Sequence, residues 1–288
     1  MNPFDLAGPP FLVFYVLLIA VVAAALHTAI GATEDGAAPV LPLGDPYQIA
    51  WLRGGDKEAV RVAVLSLLDR DLVELGESAV TARVTDVTAV EEPIERAILS
   101  RCIAGGELLG RLADDPVVAS VCDRLRVSLT RVGLVPNGAQ RRVRIWIFGL
   151  AVAVLAIVAL VKLAVAFERG RGNVSFLIAL ALIAPFALGA LVLRRRTRLG
   201  DRMLSDLRRL LAGLRERADA IRRGEATSDA ILLAAVFGLA ILPDGQYFDL
   251  RRAYRKADQS RGGSCGGCGG GGGGGGGCGG GCGGCGGG

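Results

Sequence analysis

The sequence predicts a mainly α membrane protein: three transmembrane helices, a small winged-helix-like α+β cytoplasmic domain, a C-terminal helical segment and a disordered Gly/Cys tail. Three observations predict this fold class. Three apolar stretches have the ~20-residue length with which a helix crosses ~30 Å of hydrocarbon. Residues 45–140 combine helical spacing of apolar residues with a short alternating segment. The last 24 residues are only glycine and cysteine, which bury too little apolar surface to fold.

The first predicted transmembrane helix occupies residues 1–30 and is apolar from Phe11 onward. A secretory signal peptide carries positive charge before its apolar region, whereas residues 1–10 contain Asp5 and no Lys or Arg. We therefore expect a retained helix rather than a cleaved signal. Residues 31–44 are rich in proline, glycine and alanine, which is typical of a linker.

Two further transmembrane helices are predicted at 145–167 and 174–193, and the arginines beside them indicate their orientation. Nine arginines lie before the first of these helices or after the second: Arg131, Arg141, Arg142, Arg144, Arg194, Arg195, Arg196, Arg198 and Arg202. The positive-inside rule assigns such ends to the cytoplasm. We therefore expect a multi-pass protein of the inner (plasma) membrane, with its N-terminus outside and residues 45–140 and the tail in the cytoplasm.

Residues 45–140 are predicted to form a winged-helix-like domain, from the order helix, helix, hairpin and further helices. Alternating apolar and polar residues on both sides of Gly76 predict the hairpin. Helix ends are indicated by prolines at first positions, aspartates at N-caps and one glycine after a C-terminus: Pro46, Pro93, Pro116, Asp56, Asp115 and Gly133.

The charge of this domain argues against binding to nucleic acid. Residues 45–140 contain eleven basic and fifteen acidic residues, a net charge of −4, which repels phosphate. The overall charge of +5 comes instead from arginines near the membrane, which topology and anionic lipid already explain. We therefore expect the lipid bilayer and other membrane or cytoplasmic proteins as partners.

The C-terminal segment 194–261 is basic and is predicted to be helical. Apolar residues from Met203 onward form one stripe between arginines, so this helix either lies in the headgroup plane or pairs with another helix. Residues 230–242 form an apolar run that is short for a membrane span and favours a core or interfacial helix. If that run did cross the bilayer, the tail would lie outside.

The tail, residues 262–288, contains the candidate metal ligands. Its five cysteines are Cys265, Cys268, Cys278, Cys282 and Cys285. Two C-x2-C pairs separated by 13 residues resemble a four-thiolate zinc spacing, but only Cys278 and glycines lie between the pairs. Three interpretations stay open: a disordered tail without a defined ligand, a site for zinc or another thiophilic metal, and redox or disulfide chemistry. A cytoplasmic location favours reduced thiols.

The remaining polar residues with possible chemistry have structural interpretations. Cys102 and Cys122 lie on apolar helix faces and are interpreted as buried small hydrophobes. His27 lacks a neighbouring base, and Lys162 is expected to extend to the membrane interface with Glu168 as a partner. Solvated helix ends and loops explain two carboxylate clusters, Asp69–Arg70–Asp71 and Glu91–Glu92. The sequence therefore predicts no catalytic residue and no enzyme.

Several motifs together resemble an uncharacterised family of actinobacterial membrane proteins. They are MNPFDL at the N-terminus, DPYQIAWLRGG at 45–55, FGLAILP at 237–243 and the Gly/Cys tail. The resemblance extends over nearly the whole chain. It implies an inner-membrane protein with a Gly/Cys-rich tail and carries over no catalytic residue.

The function predicted from these features is that of a membrane-anchored scaffold or regulatory protein with a flexible, thiol-bearing tail. The alternative is a thiol-based metal-handling or redox factor that acts through the tail cysteines. An oligomer is compatible with either function.

Overall fold

The computed structural model describes residues 8–32, 45–76, 79–168, 175–192, 194–216 and 227–261. The protein is mainly helical with a small three-stranded sheet, which confirms the predicted class. In chain order the elements are α1 Gly8–Ala32, α2 Pro46–Gly54, α3 Asp56–Asp69, β1 Val73–Leu75, β2 Ala79–Ala82, α4 Pro93–Ile103, β3 Glu107–Leu108, α5 Pro116–Arg131, α6 Gly138–Glu168, α7 Ser175–Val192, α8 Arg198–Leu210, α9 Ala212–Glu216, α10 Thr227–Phe237 and α11 Asp244–Arg261.

Two of the described helices are long and apolar enough to cross a membrane, rather than the predicted three. They are α1, over Phe11–Ala32, and α6, over Gly138–Ala166. Only 17% and 11% of the residues in their most apolar windows are buried, so most of these side chains face outward. The third predicted span is shorter because the apolar part of α7 extends only over Phe176–Ala190, roughly 23 Å at 1.5 Å per residue.

Helices α1, α6 and α7 pack together, with α1 and α7 antiparallel to α6. The Tyr15 hydroxyl donates a 3.1 Å hydrogen bond to the Leu155 carbonyl, near the middle of α6. The Lys162 ammonium lies 4.5 Å from the centre of the Phe11 ring. Lys162 is buried against α1, and the Phe11 ring attracts its cation. The expectation that it extends to the membrane interface stays a prediction.

A single hydrophobic core unites the chain segments on both sides of the α6–α7 pair. It includes residues of α2 to α5 and also Leu204 and Leu207 of α8. Helix α10 lies within this core, and Leu233 and Ala234 are completely buried. The apolar run 230–242 therefore contributes a core helix, and the apolar stripe of α8 pairs with other helices.

The local signals for helix ends are largely confirmed. The Asp115 carboxylate accepts hydrogen bonds from the first turn of α5, as predicted. Asp45 caps α2 in the same way, which was not predicted. Gly133 follows α5 with φ +81°, a conformation that glycine adopts without strain. Asp56 does not cap α3, because its carboxylate instead accepts a 2.6 Å hydrogen bond from the Trp51 indole.

The sheet is antiparallel and small. Strand β1 pairs with β2 as the predicted hairpin, with Val73 opposite Ala82. The two-residue strand β3 adds to the other edge of β2, with Val80 opposite Glu107. This third strand was not predicted, because two residues are too few to show alternation.

Candidate functional site

The five cysteines proposed as metal ligands, Cys265, Cys268, Cys278, Cys282 and Cys285, lie outside the described residues. Within the described parts of the chain, no group of three or more His, Cys, Asp or Glu residues is arranged to hold a metal ion. The metal and redox interpretations of the tail therefore stay predictions.

The two other cysteines are buried thiols, which confirms their interpretation. Cys102 is 3% exposed and Cys122 is 1% exposed. Burial raises the pKa of the Cys102 thiol to about 11, and it raises that of Cys122 to about 12. At neutral pH both are protonated, and a protonated thiol is neither a nucleophile nor a metal ligand.

One of the predicted solvated carboxylate clusters is partly buried. Asp71 and both glutamates of the Glu91–Glu92 pair are exposed, as expected. Asp69 is only 3% exposed, and its carboxylate accepts a 2.8 Å hydrogen bond from the Tyr247 hydroxyl. The expectation for Asp69 was wrong because α11, which covers it, belongs to a distant part of the sequence.

A second buried carboxylate, Glu95 on α4, was not singled out by the sequence analysis. It accepts hydrogen bonds from the Tyr47 hydroxyl and from Ser66 Oγ, and it forms an ion pair with Arg70. Burial and the Glu95 carboxylate both raise the pKa of Tyr47. This cluster joins α2, α3 and α4, and its internal partners suit it to support of the fold. Glu95 lies four residues before Leu99 on the buried face of α4, so helical periodicity could have identified it.

A chain of charged residues joins α2 and α3 to α11. Arg61 donates to Glu58 and to Asp258, each at 2.6 Å, and Arg53 also pairs with Glu58. The Arg61 guanidinium lies 5.1 Å from the centre of the Tyr254 ring. These contacts fix the last described helix on the first helices of the domain.

Thr197, the N-cap residue of α8, connects the start of this helix to the segment that follows α5. Its side chain lies within hydrogen-bonding distance of the Gly133 and Leu134 carbonyls, at 2.9 and 3.1 Å. Its amide donates to Leu134, and its Oγ1 also accepts from the Gly200 amide in the first turn of α8. Thr197 is 2% exposed, so this connection is protected from competing water.

Arginines beside Thr197 connect their segment to α2 and to α1. Arg196 donates to the carbonyl of Arg53 at the end of α2. Arg198 donates to the carbonyl of His27 near the end of α1. These arginines therefore have a structural role: Arg196 holds its segment against α2, and Arg198 holds α8 against α1.

Comparison with known proteins gives no match to a protein-family model, a curated protein or a solved structure. The resemblance to an actinobacterial membrane family and the winged-helix-like description of residues 45–140 stay predictions.

Proposed function

We propose that this protein is a membrane-anchored scaffold. A cytoplasmic domain held at the membrane surface would present the Gly/Cys tail to partner proteins. The observation that carries the proposal is the single core built from both sides of the α6–α7 pair.

The shared core also supports a third crossing by α7. If α6 leaves the cytoplasm, the chain has to return before α8, because α8 and α10 pack in the same core as α2 and α3. Helix α7 is the connecting helix, and its short apolar part is compatible with local thinning of the bilayer at a modest cost per ångström. The Arg-rich ends of α6 and α7 then favour the cytoplasmic side for the domain.

The position of the tail supports a scaffold role. It begins after α11, which Arg61 fixes to the domain through Asp258. If residues 265–288 behave as a Gly-rich coil, these 24 residues reach on the order of 25–30 Å, enough to contact a neighbouring protein. Buried, protonated thiols at Cys102 and Cys122 leave the tail to supply any accessible thiolate.

A membrane-impermeant maleimide tests the topology in intact cells. We expect the tail cysteines to be protected until the cells are permeabilised, and a cysteine introduced at Gly172 to be labelled from outside. Labelling of the tail in intact cells would overturn the proposed orientation.

Crosslinking in cells tests the scaffold role, with the full chain compared to a truncation ending at Arg261. We expect one protein to be recovered stoichiometrically with the full chain and lost with the truncation. Recovery of the same proteins at equal yield from both would contradict a role for the tail.

The alternative function, thiol-based metal handling, is favoured by the paired spacing of the tail cysteines. Zinc content and free thiols of the purified full chain and of the truncation distinguish it. One zinc per full chain, absent from the truncation, would support the alternative, and equal zinc in both would exclude it.

A further inference from the structure

A cleft of about 420 Å³ lies where the cytoplasmic domain meets the ends of α6 and α7. Its charged lining comes from α3, α5, α6 and the segment after α7, and consists of Asp56, Arg126, Arg141, Arg144, Arg194 and Arg195. Three separate parts of the chain, α5, α6 and the segment after α7, therefore bring five guanidinium groups to one cleft.

The cleft has a large excess of positive charge. Its one carboxylate, Asp56, already accepts a 2.6 Å hydrogen bond from the Trp51 indole. Across the described ranges, Arg126, Arg141 and Arg194 form no ion pair, and Arg195 has only a 3.4 Å hydrogen bond to the Gly54 carbonyl. An anion bound here would relieve the repulsion among these arginines, and the planar guanidinium group binds phosphate oxygens in pairs.

The surroundings of the cleft place it at the level of lipid headgroups. Two apolar residues also line it: Ile145, in the first third of α6, and Val192, the last residue of α7. Trp146, next to Ile145, is 79% exposed, and exposed tryptophans are typical of the membrane interface. A phosphate in the cleft would leave attached acyl chains beside the outer faces of these helices.

We propose that this cleft binds the phosphate group of an anionic phospholipid of the cytoplasmic leaflet. The arginines supply the charge-assisted hydrogen bonds, and the apolar ends of α6 and α7 supply the surface for the acyl chains. Basic pockets between membrane helices on the cytoplasmic side are a recurring form of anionic lipid site. A soluble phosphate ester offers the same anion without the chains, so the experiment has to separate the two sources.

The test uses the purified full chain in detergent with phosphatidylglycerol or phosphatidylcholine added, and native mass spectrometry to count bound lipids. The cleft variant is Arg126→Gln with Arg141→Gln. The matched control is Arg124→Gln with Arg142→Gln, which removes two exposed arginines from the same helices outside the cleft. We expect the wild type and the control to retain phosphatidylglycerol and the cleft variant to bind it at least roughly tenfold more weakly.

Equal loss in the cleft variant and the control, or equal retention of phosphatidylcholine, would overturn the proposal. Competition with inorganic phosphate and glycerol 3-phosphate identifies the source. Displacement of the lipid at low concentrations of either would assign the cleft to a soluble phosphate ester and overturn the lipid source. Arg194→Gln, in the irregular segment after α7, provides a second variant if the double variant fails to fold.

The lipid-binding proposal and the scaffold proposal can be refuted independently of each other. The truncation ending at Arg261 retains every residue that lines the cleft, so it is expected to bind phosphatidylglycerol as the full chain does. Loss of a partner with the truncation concerns only the tail.

Discussion

The hydroxyl of Tyr247 donates a 2.8 Å hydrogen bond to the carboxylate of Asp69, 178 positions earlier in the chain. Tyr247 is completely buried and Asp69 is 3% exposed. The bond joins α11 to α3 within the core that α6 and α7 interrupt in the sequence. The bond therefore joins a part of the domain that follows α6 and α7 in the sequence to a part that precedes them.

Tyr247→Phe removes this bond with little change in volume. Hydrogen bonds to charged groups contribute roughly 1.5–3 kcal/mol, and a buried carboxylate that loses a donor is not compensated by water. We expect the free energy of unfolding to fall by about 2 kcal/mol, measured by denaturation of the full chain in detergent.

Tyr254→Phe is the matched control on the same helix. The Tyr254 hydroxyl is buried and has no hydrogen-bond partner among the described residues. Its removal should leave stability unchanged or slightly raised, because no bond is lost. Equal destabilisation by the two substitutions would show that the Tyr247–Asp69 bond contributes nothing specific.

The elements with local signals were predicted well from the sequence. Asp115 and Gly133 define the ends of α5 through short-range backbone chemistry, and the β1–β2 hairpin follows from alternation around Gly76. The burial of Asp69 was not predictable in this way, because it depends on Tyr247 in a helix that was not itself singled out. The sequence likewise left open whether α10 is a core or an interfacial helix, because its burial depends on residues far away in the chain.

The candidate sites also differ in whether local sequence signals or long-range packing define them. The basic ends of α6 and α7 were predicted as topology signals, and each arginine was counted separately. Their convergence with Arg126 in one cleft depends on how α5 packs beside α6 and the segment after α7. A sequence pattern does not contain that packing, whereas the spacing of the tail cysteines is visible without any structure.

Gly200→Ala tests the docking of α8 on the domain. A Cβ at Gly200 would lie 2.6 Å from the Leu134 carbonyl oxygen and 3.2 Å from Leu52 Cδ1. The helix has to shift to accommodate it, and such overpacking costs about 1–3 kcal/mol. We expect a lower thermal midpoint for the purified full chain.

Gly213→Ala, on α9, provides the comparison for Gly200→Ala. No atom lies within 4 Å of its ideal Cβ, so the substitution should be neutral or stabilising by about 0.5–1 kcal/mol through helix propensity. A thermal midpoint that falls equally for both glycines would contradict close packing at Gly200.

Glu95→Gln tests the buried polar cluster. The amide has the shape of the carboxylate, but one of its two ends carries N–H donors instead of an acceptor. If this end faces Arg70, donors face donors, since arginine has no acceptor. In the other orientation, the amide no longer accepts from Tyr47 and Ser66. We expect unfolding to become easier by about 2–3 kcal/mol, because a buried charge pair is broken.

Glu91→Gln removes the same charge from an exposed position near the start of α4. Surface substitutions of this kind change stability by less than about 0.5 kcal/mol. If Glu95→Gln is as mild as Glu91→Gln, the cluster does not stabilise the domain.

The pKa values of Cys102 and Cys122 predict a loss of stability at alkaline pH. Folding raises them from 9.0 to about 11 and about 12, so the folded state retains protons that the unfolded chain releases. Their contribution is complete below pH 9 and is lost as the pH rises through the folded pKa values. Denaturation from pH 8 to 11 should therefore show a decline that is shallower in Cys102→Ala with Cys122→Ala, by at most about 1.4 kcal/mol per pH unit for each thiol. If stability declines with pH at the same slope in the wild type and in the double variant, burial does not raise the pKa values of these thiols.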